Sequence, residues 1–196
     1  MNVLIVVATK SEILSDIILQ KPTLVTGVGM VNTAISLTKE LMKSNYSLVV
    51  NMGVAGSFSN TLKNGEVVEV VEDNFSEIGF EDNLSFCEFD NFDLKIKYIN
   101  PPRTSLPKAR GITVNTVHGN HKNILKIIER KNPDIESMEG ASVFKVCEEF
   151  KIPCIQIRSI SNKVEKRNKY NWDLDLAIQN LNIEVEKIII NLCNSH

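Results

Sequence analysis

The chain counts 196 residues, 43% hydrophobic and 23% charged, which suits one packed domain, predicted here over residues 1–196, and excludes a disordered chain. Its 22 Lys and Arg against 24 Asp and Glu leave a formal charge of −2, which excludes a global basic field for nucleic acid or an anionic membrane surface. It contains no run of ~18 apolar residues, so no membrane span is predicted.

The opening MNVLIVVATKSE has neither a basic leader nor a small-residue cleavage site, which predicts a cytoplasmic protein. Cys87, Cys147, Cys154 and Cys193 form no CxxC, and the three histidines fall outside metal-ligand spacing. Free core thiols and no metal follow as expectations, and a disulfide-rich secreted protein and a zinc finger are excluded.

In chain order, residues 3–7 form a continuous apolar run, the mark of a strand buried on both faces. Helical spacing follows over 11–19, and a short strand over 23–26 breaks at Gly27-Val28-Gly29. Residues 30–42 carry an apolar helical stripe. A strand at 48–50 breaks at Gly53 and Gly56, and another at 66–71 is announced by the Asn64-Gly65 turn. Residues 74–110 read as a long excursion around one strand at 94–99, with Phe75, Phe80, Phe86, Phe89 and Phe92 set among Asp and Asn. Those rings suit a local core equally with a pocket or subunit contact. Order returns with a strand at 112–117, helices at 120–130 and 138–150, a buried strand at 152–157 and a last helix at 173–192. The alternation predicts an α/β fold, a central mixed, mostly parallel sheet flanked by helices.

Gly27-Val28-Gly29 resembles half of a dinucleotide fingerprint. Asn32 stands where its third glycine belongs, and Val49-Val50 lie where its acidic residue belongs, so the segment reads as a tight turn and no cofactor is predicted. Asn51-Met52-Gly53-Val54-Ala55-Gly56 ends a strand where α/β sheets bind ligands; turn geometry and close backbone approach to a ligand both explain it. Glu12 follows the first strand, where capping is the usual role of a carboxylate. Glu139 enters an otherwise small, apolar helix start, and Arg158 ends the last buried strand. These residues specify a pocket at strand ends and leave its chemistry open.

Taken together, Glu12, TGVGMVN at 26–32, NMGVAG at 51–56, SMEGA at 137–141 and IRSISN at 157–162 resemble the purine nucleoside phosphorylase and nucleosidase superfamily. Within it, Arg158-Ser-Ile-Ser-Asn162 with Glu165, Arg167-Asn168 and Trp172 is similar to the futalosine hydrolase family, which serves a route to menaquinone. The resemblance implies hydrolysis of an N-ribosidic bond and a purine nucleoside as the small-molecule partner. Glu139 is then the carboxylate that accepts both ribose hydroxyls, and Met138 packs on the ribose face. Glu12 orients and deprotonates the water, and Arg158 beside it holds Glu12 ionised. Val54, Ala55, Gly56 and Val117 are implied to line the substrate, and the family suggests a homodimer.

Phosphorylases of the superfamily commonly carry an Arg and a hydroxyl residue in the turn that here reads Asn51 to Val54, so water is the expected nucleophile. Methylthioadenosine nucleosidases carry Asp where this chain has Asn162. An amide cannot protonate a leaving base but can stabilise a departing 6-oxo purine anion by hydrogen bonds, which favours hypoxanthine. The readings that compete are a methylthioadenosine/adenosylhomocysteine nucleosidase, a phosphorylase and a non-catalytic nucleoside binder, the last of which does not need Glu12. For the 5′ substituent, whose carboxylate in futalosine asks for a cation, Arg103 and Arg167 are the candidates.

Overall fold

Strands of three to ten residues pair into one main sheet, and a computed structural model describes residues 1–83, 85–89 and 92–194 of the chain. β1 (Val3–Val7) is buried at every position, as a strand paired on both edges and covered on both faces must be. After it come a 3-10 turn, Lys10–Glu12, the one-turn helix α1 (Asp16–Leu19), β2 (Thr23–Val25), α2 (Met30–Lys43) and β3 (Leu48–Ser57). β4 (Val67–Phe75), a hairpin of β5 (Phe80–Asp82) and β6 (Ser85–Cys87), β7 (Lys97–Ile99) and β8 (Lys108–Thr113) make the middle. The chain closes with α3 (His121–Lys131), β9 (Ile135–Ser137), α4 (Gly140–Glu149), β10 (Cys154–Lys163) and α5 (Leu174–Asn194).

The sheet is mixed and mostly parallel, as expected, but it is not open. β3 pairs with β10, β10 with β4, β4 with β8, β8 with β9 and β9 with β3 again, so five strands close a ring. β1 and β2 extend it from β3, and β7 from β4. The closing strand is β9, Ile-Glu-Ser; three residues are too few to show a strand period, and the sequence gives no sign of it.

One apolar cluster packs β1, β3 and β10 against α5, including Val50, Ile157, Leu181 and Val185; a second packs the opposite face against α2 and α4, through Leu37, Leu41, Val143 and Phe144. A third, Ala55, Val68, Val70, Ala109, Ile135 and Ile160, draws on all five ring strands and so fills the inside of the ring.

The longer helices fall within two residues of expectation. The helix expected over 11–19 is instead split. Asn182 of α5 accepts the N–H groups of Leu14 and Ser15, at 2.8 and 3.1 Å, and so holds a break between the 3-10 turn and α1. β3 does not stop at 50: Gly53 and Gly56 remain paired, in register with Arg158 and Asn162, because a strand accepts glycine where neighbours approach closely. β8 lies earlier than the expected 112–117, since Val114 follows the pairing of Thr113 with Ser137. Phe75 packs edge-on against Tyr98 in the core, while Phe89 packs against Phe80 and, edge-on, against Phe92 outside the main sheet. Residues 84, 90 and 91 of that Phe-rich stretch lie outside the described residues. The four cysteines are free, and among the described residues no helix is long and apolar enough to cross a membrane.

Candidate active site

Glu12 sits on the 3-10 turn just beyond β1 and is 8% exposed. Its Oε2 accepts the Thr9 N–H at 2.9 Å and the Thr9 hydroxyl at 3.3 Å, so the capping role is real and fixes the side chain. Burial raises its pKa above the usual carboxylate value, and Glu139 pushes the same way; the Thr9 and Val54 amides and the charge of Arg158 oppose the rise. A buried carboxylate with a raised pKa, its position fixed by donors, is a stronger base than an exposed one and suits taking a proton from water.

Arg158 is 1% exposed and borders, with Glu12, the space over Gly53. A Cβ at Gly53 would stand 3.0 Å from Glu12 Oε1 and 3.2 Å from Arg158 Nη1, so glycine makes room for both. Arg158 Nη2 donates to Asn51 Oδ1 at 2.6 Å, and Asn51 Nδ2 donates to the Val6 carbonyl at 3.0 Å, which ties the guanidinium to β1. Burial lowers the Arg158 pKa, while Glu139, Glu12 and Asp73 hold its charge. Its buried Nε has no protein partner among the described residues and can donate to a bound oxygen.

Glu139 stands at the N-cap position of α4 with its side chain turned away from the helix, its Oε1 accepting the Gly29 N–H at 2.9 Å. Gly29 has φ of 96° and Gly27 of 84°, a left-handed turn that aims this amide at the carboxylate. The glycine turn after β2 therefore serves Glu139, not a dinucleotide. Met138 lies half-buried beside it.

Beneath α4 lies a polar group that sequence reasoning missed. Asp73, 0% exposed, accepts from the Thr113 hydroxyl and from Gln156 Nε2, both at 2.9 Å, while Thr113 Oγ1 accepts the Ala141 N–H at 2.8 Å. Burial pushes the Asp73 carboxyl up to about 6. The first turn of α4, and with it Glu139, rests on this relay; a Cβ at Gly140 would fall 2.1 Å from Asp73 Oδ2.

Asn162 and Glu136 flank Gly56, where a Cβ would come 3.3 Å from Asn162 Nδ2 and 3.6 Å from Glu136 Cγ. Both line a cavity with Gly56, Val117, His118 and Trp172. Asn162 Oδ1 accepts the Ser161 hydroxyl at 2.9 Å, and its Nδ2 donates to the Lys163 carbonyl at 3.0 Å. Gly53 and Gly56 are three residues apart on β3, roughly 10 Å at ~3.3 Å per residue. One strand thus carries the Glu12–Arg158 pair and the Asn162 cavity in succession.

Of the residues expected to line the substrate, Val54 meets Glu12 through its amide, and Gly56 and Val117 reach the cavity. The Ala55 side chain instead joins the apolar interior of the ring. Arg103 is not at this site: its amide donates to Glu69 at 2.7 Å, and it lines a hollow with Cys154, at the other end of β10. Arg167 does line the Asn162 cavity, its guanidinium 5.1 Å from the Trp172 ring centre. Glu136 and His118 join Asp73 as residues the sequence did not announce. The signal was a second Glu three residues before Glu139, with no period to place it.

An α/β ring with carboxylates, a buried Arg and an amide gathered at strand ends is the frame of an enzyme acting on a small polar molecule. The chain belongs to the phosphorylase superfamily, whose pattern matches residues 23–192. It is 28% identical over 182 residues to a 5′-methylthioadenosine/S-adenosylhomocysteine nucleosidase of Psychromonas ingrahamii, covering 85% of this chain and 79% of that one. It is 26% identical over 177 residues to a futalosine hydrolase of Thermus thermophilus, covering 84% and 79%. A Helicobacter pylori nucleosidase crystallised with 5′-methylthioadenosine in its active site shares the fold, with a TM-score of 0.83 at 17% identity over 97% of this chain and 98% of that one.

Proposed function

We propose that this protein is an N-glycosyl hydrolase that cleaves futalosine to hypoxanthine and dehypoxanthine futalosine, in menaquinone biosynthesis. The observation that carries the reading is the convergence of Glu12 and Arg158 on the space over Gly53, on the strand whose Gly56 lines the Asn162 cavity. Glu139, fixed through one oxygen by Gly29, keeps acceptor capacity for the two ribose hydroxyls. Glu12 takes a proton from water as the oxygen bonds the anomeric carbon, and the C–N electron pair leaves with the purine. Glu139, Glu12 and Asp73 all act on the buried Arg158 charge, and carboxylates in this region favour the positive charge of an oxocarbenium-like transition state.

Water as the nucleophile agrees with Asn51, whose amide is spent on Val6 and Arg158 and offers no grip on a phosphate. Arg167 on Trp172 is the cation we assign to the 5′ carboxylate. A second copy of the chain, docked on the apolar residues that α2 exposes, completes the proposal: Val31 is 65% and Met42 75% exposed. The competing reading is a methylthioadenosine/adenosylhomocysteine nucleosidase, favoured by the 28% identical relative. The deciding experiment incubates the protein with futalosine and with methylthioadenosine, and separates the released bases by chromatography. Hypoxanthine release well ahead of adenine is expected; the reverse establishes the competitor, and no base from either overturns both.

A further inference from the structure

A buried amide on α5 is spent on the turn that carries Glu12. Asn182 is 5% exposed and stands beside Leu181, Val185 and Ile189, which pack α5 on the sheet. An amide in such a place costs stability unless its hydrogen-bonding groups are met. Here all are met. Its Oδ1 accepts the N–H of Leu14 and of Ser15, at 2.8 and 3.1 Å. Its Nδ2 donates to the Glu12 carbonyl at 2.9 Å and to the Ile178 carbonyl, one turn back on α5, at 2.7 Å. Two N–H groups face the oxygen and two carbonyls face the nitrogen, so these partners allow the amide one orientation. The Ser15 hydroxyl adds a tie to Glu186 Oε2, one turn further along α5, at 2.7 Å.

We propose that Asn182 is a positioning residue for Glu12: it fixes the backbone of the 3-10 turn to α5 and so sets where the carboxylate stands over Gly53. This rests on the nucleosidase reading given above, in which Glu12 is the base. Thr9 and Val54 hold the carboxylate by its oxygens, and Asn182 holds the main chain from which it hangs. α5 in turn packs against β3 and β10, the strands that carry Gly53 and Arg158. Asn182 therefore joins the turn to the body that holds Arg158.

The residue periodicity over 11–19 favours a continuous helix. In such a helix the Leu14 and Ser15 amides would bond the carbonyls of Lys10 and Ser11, and the Glu12 carbonyl would accept from Asp16. Asn182 takes those same three backbone groups and so selects the broken turn over the helix. Without it they stay buried and unpaired, or the segment winds into a helix, and either outcome moves Glu12. A misplacement of about 1 Å in a reacting group costs on the order of 10²-fold in rate. The nucleoside is held elsewhere, by Glu139 on α4 and by the Asn162 cavity, so the loss falls on turnover and not on affinity.

The test measures kcat and KM on the nucleoside that wild type cleaves faster, futalosine or methylthioadenosine. The variants are Asn182→Ala, Asn182→Asp and Asn180→Ala, assayed at a temperature where circular dichroism shows each folded. Asn180 is the control: it lies on the same helix and donates to the Gly65 carbonyl at 2.8 Å, away from the turn. Asn182→Ala should lower kcat at least ~30-fold with KM within ~threefold of wild type. Asn182→Asp keeps the shape and both accepted N–H groups and loses the donor to the Glu12 carbonyl. It stays folded should the alanine variant fail, and should lower kcat at least ~fivefold. Asn180→Ala should lose thermal stability and keep kcat within ~twofold of wild type. Wild-type kcat in the Asn182 variants, a loss confined to KM, or an equal loss of kcat in Asn180→Ala overturns the role of Asn182 and leaves the nucleosidase reading standing. A wild type that releases no base from either nucleoside overturns that reading, and this inference with it.

Discussion

At Gly53 a single missing methyl group lets Glu12 and Arg158 share a site. Gly53→Ala places a carbon 3.0 Å from Glu12 Oε1 and 3.2 Å from Arg158 Nη1, tighter than ordinary van der Waals contact. Its backbone needs no positive φ, so the strand should survive. A fall in kcat of about tenfold or more is expected from the displaced base, with a thermal midpoint shifted by only a few degrees; full activity would show that the pair tolerates displacement. Glu12→Gln keeps the shape and removes the base. Turnover should fall on the order of 10²- to 10⁴-fold while binding of the intact nucleoside, followed by calorimetry, stays within about threefold. At Asn162 the expectation concerns selectivity: a protonated Asp donates to a leaving base and an ionised one repels a departing anion. Asn162→Asp should therefore narrow or reverse the preference for 6-oxo over 6-amino substrates, and an unaltered ratio would mean that this side chain does not face the base.

At the scale of elements, the start of α4 depends on a carboxylate buried under it. Asp73 links β4 to β8 through Thr113 and to β10 through Gln156, and Thr113 passes the contact to the Ala141 amide. Its pKa of about 6 in the folded chain lies above its ordinary 3.8. A carboxyl whose folded value is raised binds more protons folded than unfolded. Its contribution to stability is thus complete below the unfolded value and is lost as pH rises through the folded one. Asp73→Asn abolishes that titration, and the unpartnered Gln156 Oε1 can receive the new amide hydrogen once Gln156 turns over. Chemical denaturation of both proteins across pH 4 to 7 should show wild type losing on the order of 3 kcal/mol relative to the variant. Parallel curves would mean that Asp73 stays in one protonation state.

The whole molecule adds two expectations. Base release should proceed unchanged without phosphate and yield a free sugar product; a sugar 1-phosphate would place the protein among phosphorylases. The exposed apolar side of α2, Val31, Ile35 and Met42, with Val28 of the turn before it, should bury itself against a second copy. Val31→Glu with Met42→Glu should convert a dimer to a monomer in sedimentation velocity, and a wild-type monomer at micromolar concentration would end that proposal.

The class of the fold and most of its elements are legible in the sequence, because helical stripes such as 30–42 and fully apolar runs such as 3–7 are local signals. The sequence also marked Glu12, Glu139, Arg158 and Asn162, whose residue types are costly or unusual at strand ends. What it could not hold was closure. Gly53 and Gly56 read as turns because glycine punctuates local structure. They are paired strand residues because Arg158 and Asn162 approach them from more than a hundred positions along the chain. Likewise Asp73, Glu136 and His118 look like ordinary polar residues in sequence. Only the ring, sealed by the three residues of β9, takes the first two out of water and sets all three among partners from other strands and loops. Burial and long-range pairing are properties of the closed chain, and they decided which carboxylates are capped, charged or poised.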